Sequence, residues 1–156
     1  MATYRPNDSR EVLIGKSRIA QAMQSAPRPA EILVVDDNVV HATRLAAMLR
    51  GVFGFETKVR ETGSLQGGIQ AIKTAQPDLI FLDDVLRPTD TAVSSIPKLR
   101  AAGCTSGIVV ISSEVELRRA SELIKASAID VIHRDDLNGA RICQAWLKCC
   151  GISEPF

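Results

Sequence analysis

The segment ILVVDD at residues 32–37 decides the fold of this chain. Four consecutive apolar residues run directly into two carboxylates, and no polar residue interrupts the apolar run. A strand that is apolar at every position is buried on both faces, as strands are in a parallel sheet covered by helices on both sides. The segment therefore predicts an α/β domain with a central parallel sheet.

The same pattern recurs along the chain, as LIFLDD at 79–84, IVVISS at 108–113 and, more weakly, VIHR at 131–134. A further short strand is predicted near 57–59. The intervening segments 38–50, 64–75, 115–126 and 138–150 carry apolar residues at helical spacing. Segment 91–102 is a weaker helix, because Pro97 removes a backbone hydrogen bond unless it lies in the first turn. The alternation of strands and helices predicts right-handed crossovers.

Length and composition narrow the class of protein. The chain has 156 residues, enough for one well-packed domain, and its 46% hydrophobic and 24% charged residues are typical of a soluble protein. A net charge of +1 and 4% aromatic residues give no argument for binding nucleic acid or a membrane surface. With no apolar signal peptide and no membrane-spanning run, we expect a cytoplasmic protein whose four cysteines are reduced thiols.

The chemistry is expected where the strands end, because ligands of parallel α/β sheets bind at the carboxyl edge. Any one of these polar residues could simply cap the next helix, but their combination indicates more. Clustered carboxylates need a compensating cation such as Mg²⁺, and a hydroxyl and a cation beside it suit phosphate oxygens. The sequence thus predicts a Mg²⁺-dependent phosphoryl site with one Asp as nucleophile, built from Asp36, Asp37, Asp83, Asp84, Ser112 and Arg134.

Over about residues 30–150, these motifs in this order resemble the receiver domains of bacterial two-component response regulators. The resemblance implies a flavodoxin-like fold with a doubly wound five-stranded parallel sheet in the order 2-1-3-4-5. It also implies an aspartyl phosphate that is formed by transfer from a phosphohistidine of a histidine kinase or a histidine phosphotransfer protein. The protein would then be a signalling phosphoacceptor in a phosphorelay or related pathway and not an enzyme acting on a separate substrate.

The resemblance also implies residue roles. Asp36 and Asp37 match the acidic pair that helps to hold Mg²⁺, and Ser112 matches the hydroxyl that contacts the phosphoryl group. Arg134 stands where the family has Lys. Asp83 matches the phosphoacceptor, which is also a metal ligand, and the backbone carbonyl of Val85 then matches a further metal ligand.

Two counts along the chain disagree about which Asp is the acceptor. Counting forward from Pro77-Asp78 gives Asp83, whereas counting back from Pro88 and from Leu99-Arg100 gives Asp84. A one-residue insertion therefore lies close to this point. Because loops accept insertions more readily than strands do, we favour Asp83. Asp84 would then be either an extra negative charge near the metal or a solvated loop acid.

Three departures from the family pattern support an alternative. Arg134 replaces Lys, Asp135 stands where Pro is usual, and Val131 replaces an aromatic residue that moves on activation. A degenerate receiver that serves as a phosphorylation-independent binding scaffold therefore stays open. A small phosphatase of the haloacid dehalogenase type, which also uses an Asp nucleophile and Mg²⁺, is a remote alternative, because its motifs follow a different order along the chain.

We divide the chain into an N-terminal extension at 1–29, a receiver domain at 30–151 and a tail at 152–156. Asp8 and Glu11 have capping-box spacing, and Leu13, Ala20 and Met23 share a face of a predicted helix in the extension. This region is either a frayed tail or a helix that packs on the domain or on a second copy, as in a homodimer. With so little chain after the last helix, we expect a stand-alone regulator that acts on a downstream protein by contact, without nucleic acid or membrane.

Overall fold

The computed structural model describes residues 18–87, 89–114 and 116–152. The strands are β1 (Glu31–Val35), β2 (Lys58–Thr62), β3 (Leu79–Asp83), β4 (Val85–Arg87), β5 (Asp90–Thr91), β6 (Gly107–Ser112) and β7 (Asp130–His133). Five of them form one sheet in the order β2-β1-β3-β6-β7, and all of its neighbours are parallel. Counted without β4 and β5, this is the predicted order 2-1-3-4-5, so the predicted fold class is confirmed.

The connecting helices are α1 (Val39–Phe53), α2 (Leu65–Thr74), α3 (Ala92–Ala101), α4 (Leu117–Lys125) and α5 (Gly139–Cys149). The side chains of Asn38, Ser64 and Asn138 cap α1, α2 and α5 by accepting a backbone N–H three residues further on. Within residues 18–87, 89–114 and 116–152, no helix combines the length and apolar character needed to cross a bilayer.

Helix α3 forms around Pro97, which lies beyond the first turn. Proline has no N–H, so the carbonyl of Val93 loses its usual helical donor. Ile96 and Leu99, on either side of Pro97, are both fully buried. Burial of these side chains offsets the lost hydrogen bond, which explains why the segment is helical despite its proline.

Residues of the sheet alternate between two cores, one on each face. The core that α2, α3 and α4 cover contains Leu33, Val35, Ile80, Leu82, Ile108 and Val110. The core that α1 and α5 cover contains Ile32, Val34, Leu79, Phe81, Val109 and Ile111. Burial on both faces is what the uninterrupted apolar runs predict, and it fixes the strand ends at one edge of the sheet.

The part of the N-terminal extension that the structure describes packs on the domain. A helix covers 18–25, with Ile19 buried and Met23 packed against the core under α1 and α5. The indole N–H of Trp146 in α5 donates to the carbonyl of Pro27 at 2.8 Å, which ties the link to the domain. Asp8, Glu11 and Leu13 lie outside the described residues, as does the predicted tail beyond Ile152. The domain limits and the homodimer stay predictions. Measuring the mass of the protein in solution, with and without residues 1–29, tests for the homodimer.

A feature that the sequence did not predict is the antiparallel hairpin of β4 and β5, inserted between β3 and α3. Its register shifts between Val85 and Arg87, where the pairing is irregular. Leu86 is 1% exposed and belongs to the core that α2, α3 and α4 cover, which anchors the hairpin. The one-residue insertion expected close to Asp83 and Asp84 stays a prediction, and the irregular hairpin directly follows this point while β3 and β6 pair in regular register.

Candidate functional site

A cavity of about 470 Å³ opens at the edge of the sheet where β1, β3, β6 and β7 end. Asp37, Asp83, Ser112 and Arg134, each at or next to one of those strand ends, line it together. These residues are far apart in the sequence and meet because parallel strands present their carboxyl ends at one edge. The structure therefore brings the side chains from the four motifs into one site.

Three carboxylates in this site form a close group. Asp36, Asp37 and Asp83 each place an oxygen within 4.8 Å of the others. Asp36 is buried and held in place, since its Oδ1 accepts the backbone N–H of Asn38 at 2.9 Å. Mg²⁺ binds oxygen ligands that lie about 3–4 Å from one another around the ion, and small side-chain movements bring these oxygens that close. The three residues therefore fit a Mg²⁺ ion.

The environment of Asp83 disfavours its charged form. Burial, followed by the negative charge of Asp36, raises the pKa of Asp83 from 3.8 to about 7. Arg134 and the backbone N–H of Val85 act in the opposite direction, because both favour the carboxylate. A bound divalent cation would also favour the carboxylate, so metal and proton compete for this residue.

This competition predicts a pH-dependent response to Mg²⁺. At pH 8, saturating Mg²⁺ should raise the melting temperature by about 5 °C, because a ligand that binds only the folded state stabilises it. At pH 6 the rise should be much smaller, since a proton on Asp83 must first be displaced. Thermal melts at the two pH values measure this. KCl at matched ionic strength is the control, and an equal rise at both pH values would contradict the prediction.

Arg134 supplies a positive charge beside Asp83 and Asp36. Its Nη2 lies 3.3 Å from Asp83 Oδ1 and 3.6 Å from Asp36 Oδ2. Its Nε–H is buried without a hydrogen-bond partner among the described residues. A guanidinium is positively charged and presents several donors, so Arg134 can bind both the Asp83 carboxylate and a second oxyanion beside it.

Asp84 does not belong to the carboxylate group and is not a solvated loop acid. It is 3% exposed, and its side chain forms a two-point ion pair with Arg119, with both distances 2.6 Å. Its backbone N–H donates to the carbonyl of Ile111, so the chain is still extended here and Asp84 faces away from Asp83. The expectation of a solvated loop acid is therefore wrong. Asp84 lines the same cavity as Asp83 but lies outside the group of three carboxylates.

Ser112 and Arg119 are the side chains that bind Asp84. The hydroxyl of Ser112 lies 2.8 Å from Asp84 Oδ2 and 2.7 Å from the carbonyl of Glu114. Hydrogen bonding with Asp84 raises the pKa of Arg119 further above its ordinary value. The sequence did not single out Arg119, which is 35 positions from Asp84. In sequence it looks like part of the polar face of an amphipathic helix, and no local signal distinguishes it from Arg118.

The comparisons with known proteins agree with this geometry. Residues 32–145 match the family model described as the response regulator receiver domain. The transcriptional regulatory protein ZraR of Salmonella typhimurium is 28% identical over 102 residues, which are 65% of this chain and 22% of ZraR. The chain thus spans about a fifth of the length of that relative.

Solved structures show the same fold. The receiver domain of the response regulator NarL from Mycobacterium tuberculosis superposes with a TM-score of 0.63 at 17% identity, covering 80% of this chain and 98% of that one. The BeF3-activated N-terminal receiver domain of RstA from Klebsiella pneumoniae gives 0.66 at 21% identity, covering 76% and 97%. With the family model spanning most of the chain, this protein belongs to the response regulator receiver domain family.

Proposed function

We propose that this chain accepts a phosphoryl group on Asp83 from a phosphohistidine of a partner protein, in a Mg²⁺-dependent site. Receiver domains are phosphoacceptors in two-component signalling, interact with histidine kinases or phosphotransfer proteins, and typically bind Mg²⁺. The observation that carries the proposal is the position of Asp83. Its carboxylate belongs to the acidic group, with Asp36 and Asp37, and also contacts the guanidinium of Arg134.

In the proposed reaction, an oxygen of Asp83 attacks phosphorus while the N–P bond of the phosphohistidine breaks. The imidazole leaves with the bonding electron pair and then takes a proton from solvent. Bound Mg²⁺ would neutralise charge on the phosphoryl oxygens and on the acidic residues. Asp36, Asp37, Asp83 and the carbonyl of Val85 are the ligands that we propose for it.

Arg134 and Ser112 have separate proposed roles. Arg134 orients the Asp83 carboxylate, favours its charged form and donates to the phosphoryl oxygens that arrive beside it. Ser112 lines the same cavity and has one hydroxyl proton to donate to a phosphoryl oxygen. The phosphorylated surface would then be recognised by a downstream protein through direct contact.

The experiment that tests the proposal is phosphoryl incorporation, followed by intact mass. Acetyl phosphate with Mg²⁺ should add a single phosphoryl group that is lost in base, as an acyl phosphate is. EDTA should prevent the addition, because the carboxylates then face the incoming phosphate without a counter-charge. If neither acetyl phosphate nor phosphoramidate labels the folded protein in Mg²⁺, the proposal fails and the binding-scaffold alternative gains support.

A further inference from the structure

We define the Asp84 cluster as Asp84, Ser112 and Arg119. In this cluster, Asp84 binds the Ser112 hydroxyl that we propose as a donor to the phosphoryl group. Asp84 Oδ2 receives both the Ser112 hydroxyl at 2.8 Å and Arg119 Nε at 2.6 Å, and Oδ1 receives Arg119 Nη2. These are the groups that an oxyanion attracts, a hydroxyl and a guanidinium. Asp84 therefore offers them an anionic oxygen inside the protein before any phosphate arrives.

The cluster borders the same cavity as Asp83, so a phosphoryl group there has access to its donors. Asp83, Asp84, Ser112 and Arg119 all line the cavity. Ser112 has a single hydroxyl proton, which already has two acceptors within reach, Asp84 and the carbonyl of Glu114. A phosphoryl oxygen on Asp83 is a third acceptor. Ser112 can donate to it only by turning its proton away from both Asp84 and the Glu114 carbonyl.

Helix α4 is the element that this exchange affects, because Arg119 lies in its first turn. The rest of α4 makes few buried contacts: Leu123 is its one buried residue, whereas Leu117 is 92% exposed and Ile124 is 49% exposed. The two-point ion pair between Arg119 and Asp84 is therefore a large part of what holds the start of α4 against the domain. An element with so few buried apolar contacts opens at low cost in free energy.

We propose that Asp84 is an internal competitor of the phosphoryl group for Ser112 and Arg119, and that phosphorylation of Asp83 frees the start of α4. This inference rests on the proposed function. In the unmodified protein the Asp84 cluster is closed, and α4 is held in place. Once Asp83 carries a phosphoryl group, Ser112 turns to it, Asp84 loses one of its donors and the hold on Arg119 weakens. Asp84 is a positioning residue in this scheme, because it acts through Ser112 and Arg119.

Amide hydrogen exchange of residues 117–125 measures the state of α4. In the wild type, Mg²⁺ with beryllium fluoride, a phosphoryl analogue, should increase exchange in this helix. In Asp84→Asn the exchange should already be faster by about fivefold or more without the analogue, since a neutral amide loses the charge that holds Arg119. Adding beryllium fluoride to Asp84→Asn should then increase exchange in α4 only slightly. Asp84→Asn should also accept phosphoryl from acetyl phosphate faster than the wild type does.

Asp130→Asn is the matched control. Asp130 is also buried and is paired at two points with an arginine, Arg141, at 2.8 and 3.0 Å. It begins β7, at the edge of the sheet opposite the cavity. Lys148 Nζ also lies 3.2 Å from Asp130 Oδ1, so Asp130→Asn removes the charge from a buried network at least as large without touching the Asp84 cluster. It should destabilise the whole domain, and the analogue should still increase exchange in α4.

The outcomes separate this inference from the proposed function. If wild type is labelled by acetyl phosphate but α4 exchanges equally with and without the analogue, the competition is wrong and the proposed function stands. If α4 of unliganded Asp84→Asn exchanges no faster than that of Asp130→Asn, the inference is also wrong. If α4 loosens in Asp84→Asn while no donor labels the wild type, the cluster holds α4 but the proposed function fails, and with it the link to phosphorylation.

Discussion

Replacing Asp83 with Asn should abolish phosphoryl acceptance, reducing incorporation from acetyl phosphate by at least about 100-fold. The amide has the shape of the carboxylate but no negative oxygen to attack phosphorus, and loss of a covalent nucleophile has effects of this order or larger. Arg134 and Asp36, which contact Asp83, stay in place. Incorporation is measured by intact mass after incubation with Mg²⁺ and acetyl phosphate.

Asp84→Asn is the control for this experiment, because it makes the same chemical change at the neighbouring residue. Asp84 is buried and bound to Arg119, so it cannot reach an incoming phosphoryl group without breaking that pair. We expect Asp84→Asn to be labelled at least as fast as the wild type. Labelling that persists in Asp83→Asn and disappears in Asp84→Asn would reverse the assignment of the acceptor.

The stability of Asp83→Asn tests independently how the folded protein affects the charge of Asp83. Because the folded pKa of Asp83 is about 7 and its ordinary value is 3.8, the folded protein binds the proton more tightly than the unfolded chain does. The stability of the metal-free wild type therefore falls as the pH rises from about 4 to 7. Asn does not titrate. At pH 8 without metal, Asp83→Asn should thus be more stable by about 2 kcal/mol, allowing for partial solvent screening.

Much of the fold could be predicted because the strands obey one simple rule. In β1, β3 and β6, four apolar residues precede a polar one, and burial on both faces leaves no other arrangement for such runs. The same rule located Asp83 and Ser112, since a strand end is fixed by the sheet. Helix positions followed from apolar spacing, and even α3 formed around Pro97 because Ile96 and Leu99 needed to be buried.

The features that the sequence missed depend on contacts between distant residues. The hairpin of β4 and β5 has only five residues in strands and no alternating pattern, so nothing marks it as a strand pair. Whether Asp84 faces solvent or the interior depends on where β3 stops pairing with β6, which its backbone bond to Ile111 decides. Arg119 then pairs with Asp84 because α4 begins beside it, a tertiary contact that no local pattern encodes.

Replacing Arg119 with Gln should destabilise the protein by about 3 kcal/mol, since it leaves the buried Asp84 carboxylate without its counter-charge. The Asp84 side chain is 4% exposed, and Arg119, at 31%, is the cation that it contacts. Only neutral donors such as Ser112 would remain, and they do not balance the charge of a buried anion. Denaturant unfolding at pH 8, followed by circular dichroism, measures the loss.

The double variant Asp84→Asn with Arg119→Gln distinguishes an unpaired charge from lost packing. With both charges gone, two neutral amides can hydrogen-bond to each other and to Ser112, so most of the stability should return. Arg118→Gln is the control on the same helix, because Arg118 is 90% exposed and its ion pair with Glu122 is 3.6 Å long. Loss of that exposed ion pair should lower the free energy of unfolding by less than about 0.5 kcal/mol. A double variant as unstable as Arg119→Gln alone would mean that the guanidinium supports α4 by packing and not by pairing with Asp84.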